Sequence, residues 1–172
     1  MPGHPREADL ESLLDALHRA GVEFIVVGGA AAVLHGAPVT TQDVDIVPRV
    51  DPENIARLTE LLEQLDARVR DPARRDIRPD PAALRGPGQV KLTTRCGPLD
   101  VLARLHDGRD YADLLPHTVE LTEGSLRLRV LDLSTLIAIK TGTGRVRDQL
   151  IVPLLIALER ERGRDEGTEP AM

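Results

Sequence analysis

FIVVGGAAAVLHGAPVTTQDVDIVP, residues 24–48, sets an apolar run against a glycine pair, an alanine-rich stretch and a segment carrying two aspartates. VEFIVV (22–27) reads as a strand, and Gly28 and Gly29 open a short helix for which Gly36 is a natural C-terminal cap. The DVDIV segment reads as a second strand. Side chains two apart on a strand share a face, so Asp43 and Asp45 project together while Val44 and Ile46 point into the core. Two carboxylates held this close repel each other. Either they are solvated at a sheet edge, or they share a hard divalent cation such as Mg²⁺, which is commonly held by one or two carboxylates together with substrate phosphates.

Outward from this stretch the elements alternate. Leu10, Leu13, Leu14 and Leu17 follow the helical i, i+3, i+4, i+7 pattern, and Gly21 closes that helix. Asp51 caps a helix with Pro52 at its first position and Ile55, Leu58, Leu62 and Leu65 inward. Residues 71–88 hold four prolines and four arginines without periodicity and read as a long loop with room for one helical turn. QVKLTTR and PLDVLAR read as strands joined at Cys96 and Gly97. VELTEGSLRLRVL reads as a hairpin turning at Glu123 and Gly124. Two helices finish the pattern, DLSTLIAIKT and a second from about Val146 to Arg160, which Pro153 is expected to kink. Residues 1–162 are expected to form one domain, and the polar segment 163–172 a disordered tail.

Composition narrows the function classes. The 172 residues carry a net charge of -6, so the whole-molecule field favours neither nucleic acid nor anionic membrane. Phe24 and Tyr111 are the only aromatics, which argues against base stacking on aromatic platforms. One cysteine, Cys96, excludes an internal disulfide, fits a reducing compartment and reads as a small core residue. MPGHPREADL has no apolar signal-peptide core, and LIVPLLIAL (150–158) is too short to span a bilayer, so a cytoplasmic protein without membrane partners is expected.

Several residues outside the opening stretch could carry chemistry. A strand delivering its end to Gly28 and Gly29 at a helix start lets backbone amides receive a phosphate, although a tight turn explains the glycines as well. Without the third glycine of GxGxxG, a dinucleotide site is a poor reading. Asp100, between Leu99 and Val101, is either a surface strand residue or a third acid for the pair. Lys91 and Lys140 are the only lysines among 22 basic residues. Lys140 falls in line with Leu133, Leu136 and Ile137, beside the apolar stripe of its helix, where it either snorkels or offers a compact cation. Arg145 and Asp148 read equally well as a helix-start cap with a neighbouring arginine. Arg68, Arg70, Arg74, Arg75, Arg78 and Arg85 are interspersed with Asp66, Asp71, Asp76 and Asp80; a solvated mixed-charge loop is the default reading, an RNA or nucleotide contact the other. The five histidines have no metal-ligand spacing and receive no role.

The succession FIVVGGAAAVLHG, TTQDVDIV and GPLDVL resembles the nucleotidyltransferase superfamily of polymerase β type. Its motif is a glycine pair or Gly-Ser at a helix start, a short spacer, Asp-x-Asp and a later third carboxylate. VLDLSTLIAIKTGTGRVRDQLIVPLLIAL resembles the small bacterial branch with AbiEii-like and MenT-like toxins of toxin-antitoxin pairs, in which a lysine helix precedes a Gly-Arg-x-x-Asp turn. The resemblance spans about residues 20–160. It implies an α/β (α+β) nucleotidyltransferase fold, a short mixed sheet with packed helices and a C-terminal helical pair. It further implies Mg²⁺ (or Mn²⁺) held by Asp43, Asp45 and Asp100, and an NTP whose phosphates meet Gly28, Gly29 and Lys140, with Arg145 and Asp148 nearby. The implied reaction moves an NMP to the hydroxyl of a tRNA end, a protein or a small molecule, and a cognate antitoxin is an implied partner. Two departures stand out: Val39 occupies the place of a frequent arginine, and Gly29 that of a frequent serine. Val39 leaves a rival reading, a non-catalytic binding module with a degenerate nucleotidyltransferase fold.

Overall fold

The computed structural model describes residues 3–167. Asp9 caps α1 (Leu10–Arg19) by accepting from the Ser12 backbone N–H, and Leu13, Leu14 and Leu17 are its buried face. Then come β1 (Phe24–Val27), α2 (Gly28–Leu34) and β2 (Val44–Pro48). Asp51 caps α3 (Pro52–Gln64), which buries Ile55, Leu58, Leu61 and Leu62. The expected long loop holds α4 (Pro81–Arg85), one short helix capped by Asp80 that buries Leu84. Just before it lies β3 (Arg68–Val69), too short for any pattern to reveal.

The two central hairpin strands are β4 (Gln89–Thr94) and β5 (Gly97–Leu102). After them α5 (Tyr111–Leu114) and a 3-10 turn, Leu115–His117, fill a stretch with no periodic signal; a capping box between Asp110 and Asp113 starts α5. The second hairpin joins β6 (Thr118–Glu123) to β7 (Leu126–Leu131). Its turn residues are Gly124 and Ser125, one position later than the sequence suggests, because Glu123 pairs with Leu126.

Asp132 caps α6 (Leu133–Gly142), and α7 (Val146–Glu166) follows. Pro153 lies inside this continuous helix on an exposed stretch, so the Gln149 carbonyl it leaves without a donor is open to water. The helix also passes Gly163, where a polar tail is expected. Near its end Arg162 donates to the buried His35, to Nδ1 at 2.9 Å and to its carbonyl at 2.8 Å, which ties the last turns to α2. Residues 168–172 of the expected tail lie outside the described residues.

Seven strands form one mixed sheet in the order β3-β4-β5-β2-β1-β7-β6. β1 pairs with β7 and β2 with β5 in parallel, and the remaining pairs are antiparallel. The sheet is mixed and carries packed helices, as the resemblance implies. Helix α1 packs on β7 and α3, α2 on β1, β2 and α6, and α6 on α7. Aliphatic side chains of β1, β2 and β5, among them Ile25, Val44, Ile46 and Leu99, are fully buried and make up the centre of the core. That burial fixes the register, since a slip by one residue would turn Asp45 inward.

Candidate active site

Strand register builds the site. Val27 of β1 lies opposite Asp45 of β2, Asp45 opposite Asp100 of β5, and Asp100 opposite Lys91 of β4, in one row across the sheet. Paired residues in neighbouring strands project to the same face, so Asp45, Asp100 and Lys91 do so together. Asp43, two residues before Asp45, joins them. One carboxylate oxygen from each of Asp43, Asp45 and Asp100 comes within 4.8 Å of the others.

This crowding is written into the charge state. Burial pushes the Asp45 carboxyl up to about 6, the Asp43 charge pushes it the same way, and Lys140, Arg70 and Lys91 only partly oppose them. Three converging carboxylates are a hard-oxygen donor set, and a divalent cation is the ligand that would relieve their repulsion. The residues therefore fit such an ion.

Gly28 lets Asp45 reach its place. Its φ is +64°, and a Cβ there would lie 2.2 Å from Asp45 Oδ2. Close approach was expected here from a phosphate; the nearest neighbour is the site's own carboxylate. At Gly29 a Cβ would meet Thr41 Oγ1 at 2.9 Å, and that hydroxyl donates to the Asp43 carbonyl at 2.8 Å. Gly28→Ala is expected to destabilise the protein by about 1 to 3 kcal/mol through backbone strain and to weaken divalent-cation binding by displacing Asp45. Denaturant unfolding and Mn²⁺ titration measure the two effects; a variant matching wild type in both would separate Gly28 from the site.

Lys140 is only 6% exposed and forms an ion pair with Asp148 at 3.1 Å. Burial works against the Asp148 charge, but the Thr143 hydroxyl and Lys140 outweigh it and hold its carboxyl below the usual range. Lys140 thus points inward, not out along a snorkelling path. Arg145 is the residue preceding α7, with an exposed side chain. Together with Gly28, Gly29, Asp43, Asp45 and Asp100, these residues line one cleft of about 610 Å³. Val39 packs against the core, and Thr40 and Thr41 face the cleft in its vicinity.

Some of the site was not legible. Arg70, read as part of a solvated loop, forms an ion pair with Asp100, and Gln89 donates to Asp100 Oδ2 at 3.0 Å. The other arginines of that loop largely follow the default reading, Arg68 pairing with Asp66 and Asp76 and Arg75 with Asp71. The signal for Arg70 would have been β3, which places it beside Lys91 through a 2.8 Å bond from its N–H to the Lys91 carbonyl. Two histidines given no role have positions of note. His106 lines the cleft, and the buried His35 meets the Leu131 carbonyl through Nε2 at 2.6 Å. Cys96 is half-buried in the β4–β5 turn and packs against the core.

No protein-family model and no curated protein sequence matches the chain. Solved structures do. The lincosamide antibiotic adenylyltransferase LnuA with lincomycin bound matches 90% of this chain and 99% of its own at 13% identity, with a TM-score of 0.61. The antibiotic-resistance factor ANT(2'')-Ia matches 92% of this chain and 89% of its own at 14% identity, TM-score 0.53. An antigenic nucleotidyltransferase-like protein from Paracoccidioides brasiliensis matches 87% of this chain and 72% of its own at 20% identity, TM-score 0.54. The chain has the nucleotidyltransferase fold. Among the described residues no helix is long and apolar enough to cross a membrane.

Proposed function

We propose that the chain is a metal-dependent nucleotidyltransferase that moves an NMP from an NTP to an acceptor hydroxyl, acting as one domain over residues 1–162. The observation that carries this reading is the pairing of Asp45 with Asp100 across parallel strands, with Asp43 completing a carboxylate cluster beside Gly28. Similarity to nucleotidyltransferases, two of them described by their action in antibiotic modification or resistance, supports the class of reaction.

Asp43, Asp45 and Asp100 would hold Mg²⁺ or Mn²⁺, which supplies charge stabilisation to the attacking and leaving oxygens of an in-line displacement. Gly28 and Gly29 offer backbone at the start of α2, and Lys140, with Arg145 at the edge of the cleft, would meet the triphosphate. The acceptor oxygen forms a bond to the α-phosphorus, the bond from that phosphorus to the bridging oxygen of pyrophosphate breaks, and Asp100 takes the hydroxyl proton. Asp148 would hold Lys140 in place.

In its finer form the reading covers a cytoplasmic enzyme of the AbiEii-like and MenT-like toxin branch with a cognate antitoxin. Its support is the order of Lys140, Arg145 and Asp148 and a free cysteine suited to a reducing compartment. Calorimetric titration of each NTP with and without Mg²⁺ tests the enzyme reading. Absence of Mg²⁺-dependent binding by every NTP would leave the binding-module reading.

Lys140→Met keeps the aliphatic stem and removes the cation. It should weaken NTP affinity by about 1 to 3 kcal/mol, the range for a charge-assisted hydrogen bond. Stability should fall by about 1 to 2 kcal/mol, because Asp148 loses its buried partner and keeps only Thr143. Isothermal calorimetry and urea unfolding read the two losses. An unchanged NTP affinity alongside the stability loss would make Lys140 a structural residue only.

A further inference from the structure

The molecule is acidic overall, with a net charge of -6, yet the cleft is not. Its carboxylates are Asp43, Asp45, Asp100 and Asp148. The first three form the metal-type cluster, and Asp148 is paired with Lys140. None is left to receive a cationic acceptor. By contrast Lys91, Arg104, Arg145 and Arg147 line the same cleft without an ion pair among the described residues.

These cations fall on two sides of the aspartates. Arg145 and Arg147 belong to the α6–α7 side, with Lys140. Lys91 lies on the other, where the sheet continues from β5 to β4 and β3, and two residues past Arg104 His106 lies against Gly142 of α6. Lys91 is one strand spacing beyond Asp100, about 5 Å. Arg104 follows the end of β5 and is held by the Gly108 carbonyl at 3.3 Å. Beyond Lys91 the positive row goes on: Arg70 touches Asp100 and also lines a second hollow of about 460 Å³ together with Val69, Asp71, Arg74, Arg75 and Thr93. Arg75 is bound to Asp71 and Arg70 to Asp100, so Arg74 is the cation of this hollow that no ion pair engages among the described residues, while Arg70 would share its guanidinium between Asp100 and a ligand.

We infer that the acceptor is a hydroxyl compound that carries phosphate next to the reacting oxygen, with that phosphate over Lys91 and Arg70 and flanked by Arg104. The inference rests on the nucleotidyltransferase reading above and names the acceptor class for that site. A polyammonium sugar would face like charges there and no free carboxylate. Two sources offer the required chemistry, a phosphodiester chain ending in a ribose and a small phosphorylated ribose compound. The second hollow gives a chain room to continue.

Binding to the Mg²⁺-loaded full chain is measured for a short single-stranded RNA, for uridine 5′-monophosphate and for kanamycin, across a salt series, with wild type, Lys91→Ala, Arg104→Ala and Lys91→Glu. Both phosphate ligands are expected to bind wild type at least about tenfold more tightly than kanamycin does. Lys91→Glu should weaken them about tenfold or more. For RNA, each alanine variant should reduce the log–log salt slope by about 0.7, the signature of one lost phosphate contact. A steeper slope for RNA than for the mononucleotide assigns the site to a phosphodiester chain, and equal slopes assign it to the small molecule. Kanamycin binding as tight as either phosphate ligand overturns the inference, as do an unchanged affinity and slope in both alanine variants. A parallel titration with Mg-NTP keeps the two readings apart. Wild type that binds RNA but no NTP refutes the enzyme reading and with it the role of acceptor, leaving a phosphate-binding cleft, and wild type that binds NTP with no preference for phosphate acceptors refutes this inference alone.

Discussion

Asp45→Asn is expected to eliminate Mg²⁺-dependent NTP binding and, in the absence of metal, to make the protein more stable than wild type. Both effects come from the same crowding. Removing a carboxylate from a three-member donor set takes away a direct ligand, so the loss of transfer should exceed the roughly 100-fold that removing an outer-shell partner costs. The stability gain follows from the carboxyl that burial and Asp43 push from 3.8 to about 6. A raised folded-state value means that the folded protein holds this proton more tightly than the unfolded chain does. Wild type therefore loses stability as pH rises from about 4 to about 6, and the deficit is complete above that window, on the order of 3 kcal/mol.

Asparagine does not titrate, so the variant should match wild type near pH 4 and exceed it at pH 7. Mg²⁺ should close the gap and then reverse the order, because mass action stabilises only the protein that binds it, by about 2.7 kcal/mol at a hundred times the dissociation constant and about 4.1 kcal/mol at a thousand times. Urea unfolding at several pH values, with Mg²⁺ and with chelator, measures all of this. A variant that gains stability from Mg²⁺ as wild type does would remove Asp45 from any metal site.

How much of this could be read from the sequence depended on whether one residue or two strands carried the information. The alternation in DVDIV assigns Asp43 and Asp45 to one face because strand period is local. Gly28 and Asp51 are equally local: a turn and a cap declare themselves within a few residues. Asp100 was identified as a candidate, but its position directly opposite Asp45 depends on β2 and β5 pairing in parallel across more than fifty residues of intervening chain, which no pattern encodes. Arg70 was lost for a related reason. β3 has two residues and sits in a segment rich in proline and charge, where composition speaks for solvent. Lys140 shows the opposite case: its place beside Leu133 and Leu136 was a sound signal of burial, while its partner Asp148 comes from the next helix and gave only a spacing.

Asp100→Asn should behave differently from Asp45→Asn in every measurement, although the chemical change is the same. Asp100 comes from β5, on the flank that continues to Lys91 and Arg70, whereas Asp45 lies in β2 against Gly28, with Asp43 just before that strand. If Asp100 serves the acceptor hydroxyl, the other two acids still hold a cation with the triphosphate. Mg-NTP affinity should then stay within a few-fold of wild type while transfer falls by about a hundredfold or more, the scale for losing a positioned base. Without metal the contrast extends to the sign of the stability change. Asp45 is opposed by a neighbouring charge, but Asp100, only 3% exposed, is ion-paired with Arg70 and accepts a hydrogen bond from Gln89. Asparagine at position 100 leaves the Arg70 guanidinium without its counter-ion, and the metal-free protein should lose about 1 to 2 kcal/mol, less than a fully buried pair would because Arg70 keeps contact with water. Opposite stability shifts from two Asp→Asn changes, one strand apart in the same row, would establish that the acids are held by different environments. If both variants stabilise the apoprotein and both abolish Mg-NTP binding, the three carboxylates act as one undivided cluster and the assignment of Asp100 to the acceptor is wrong.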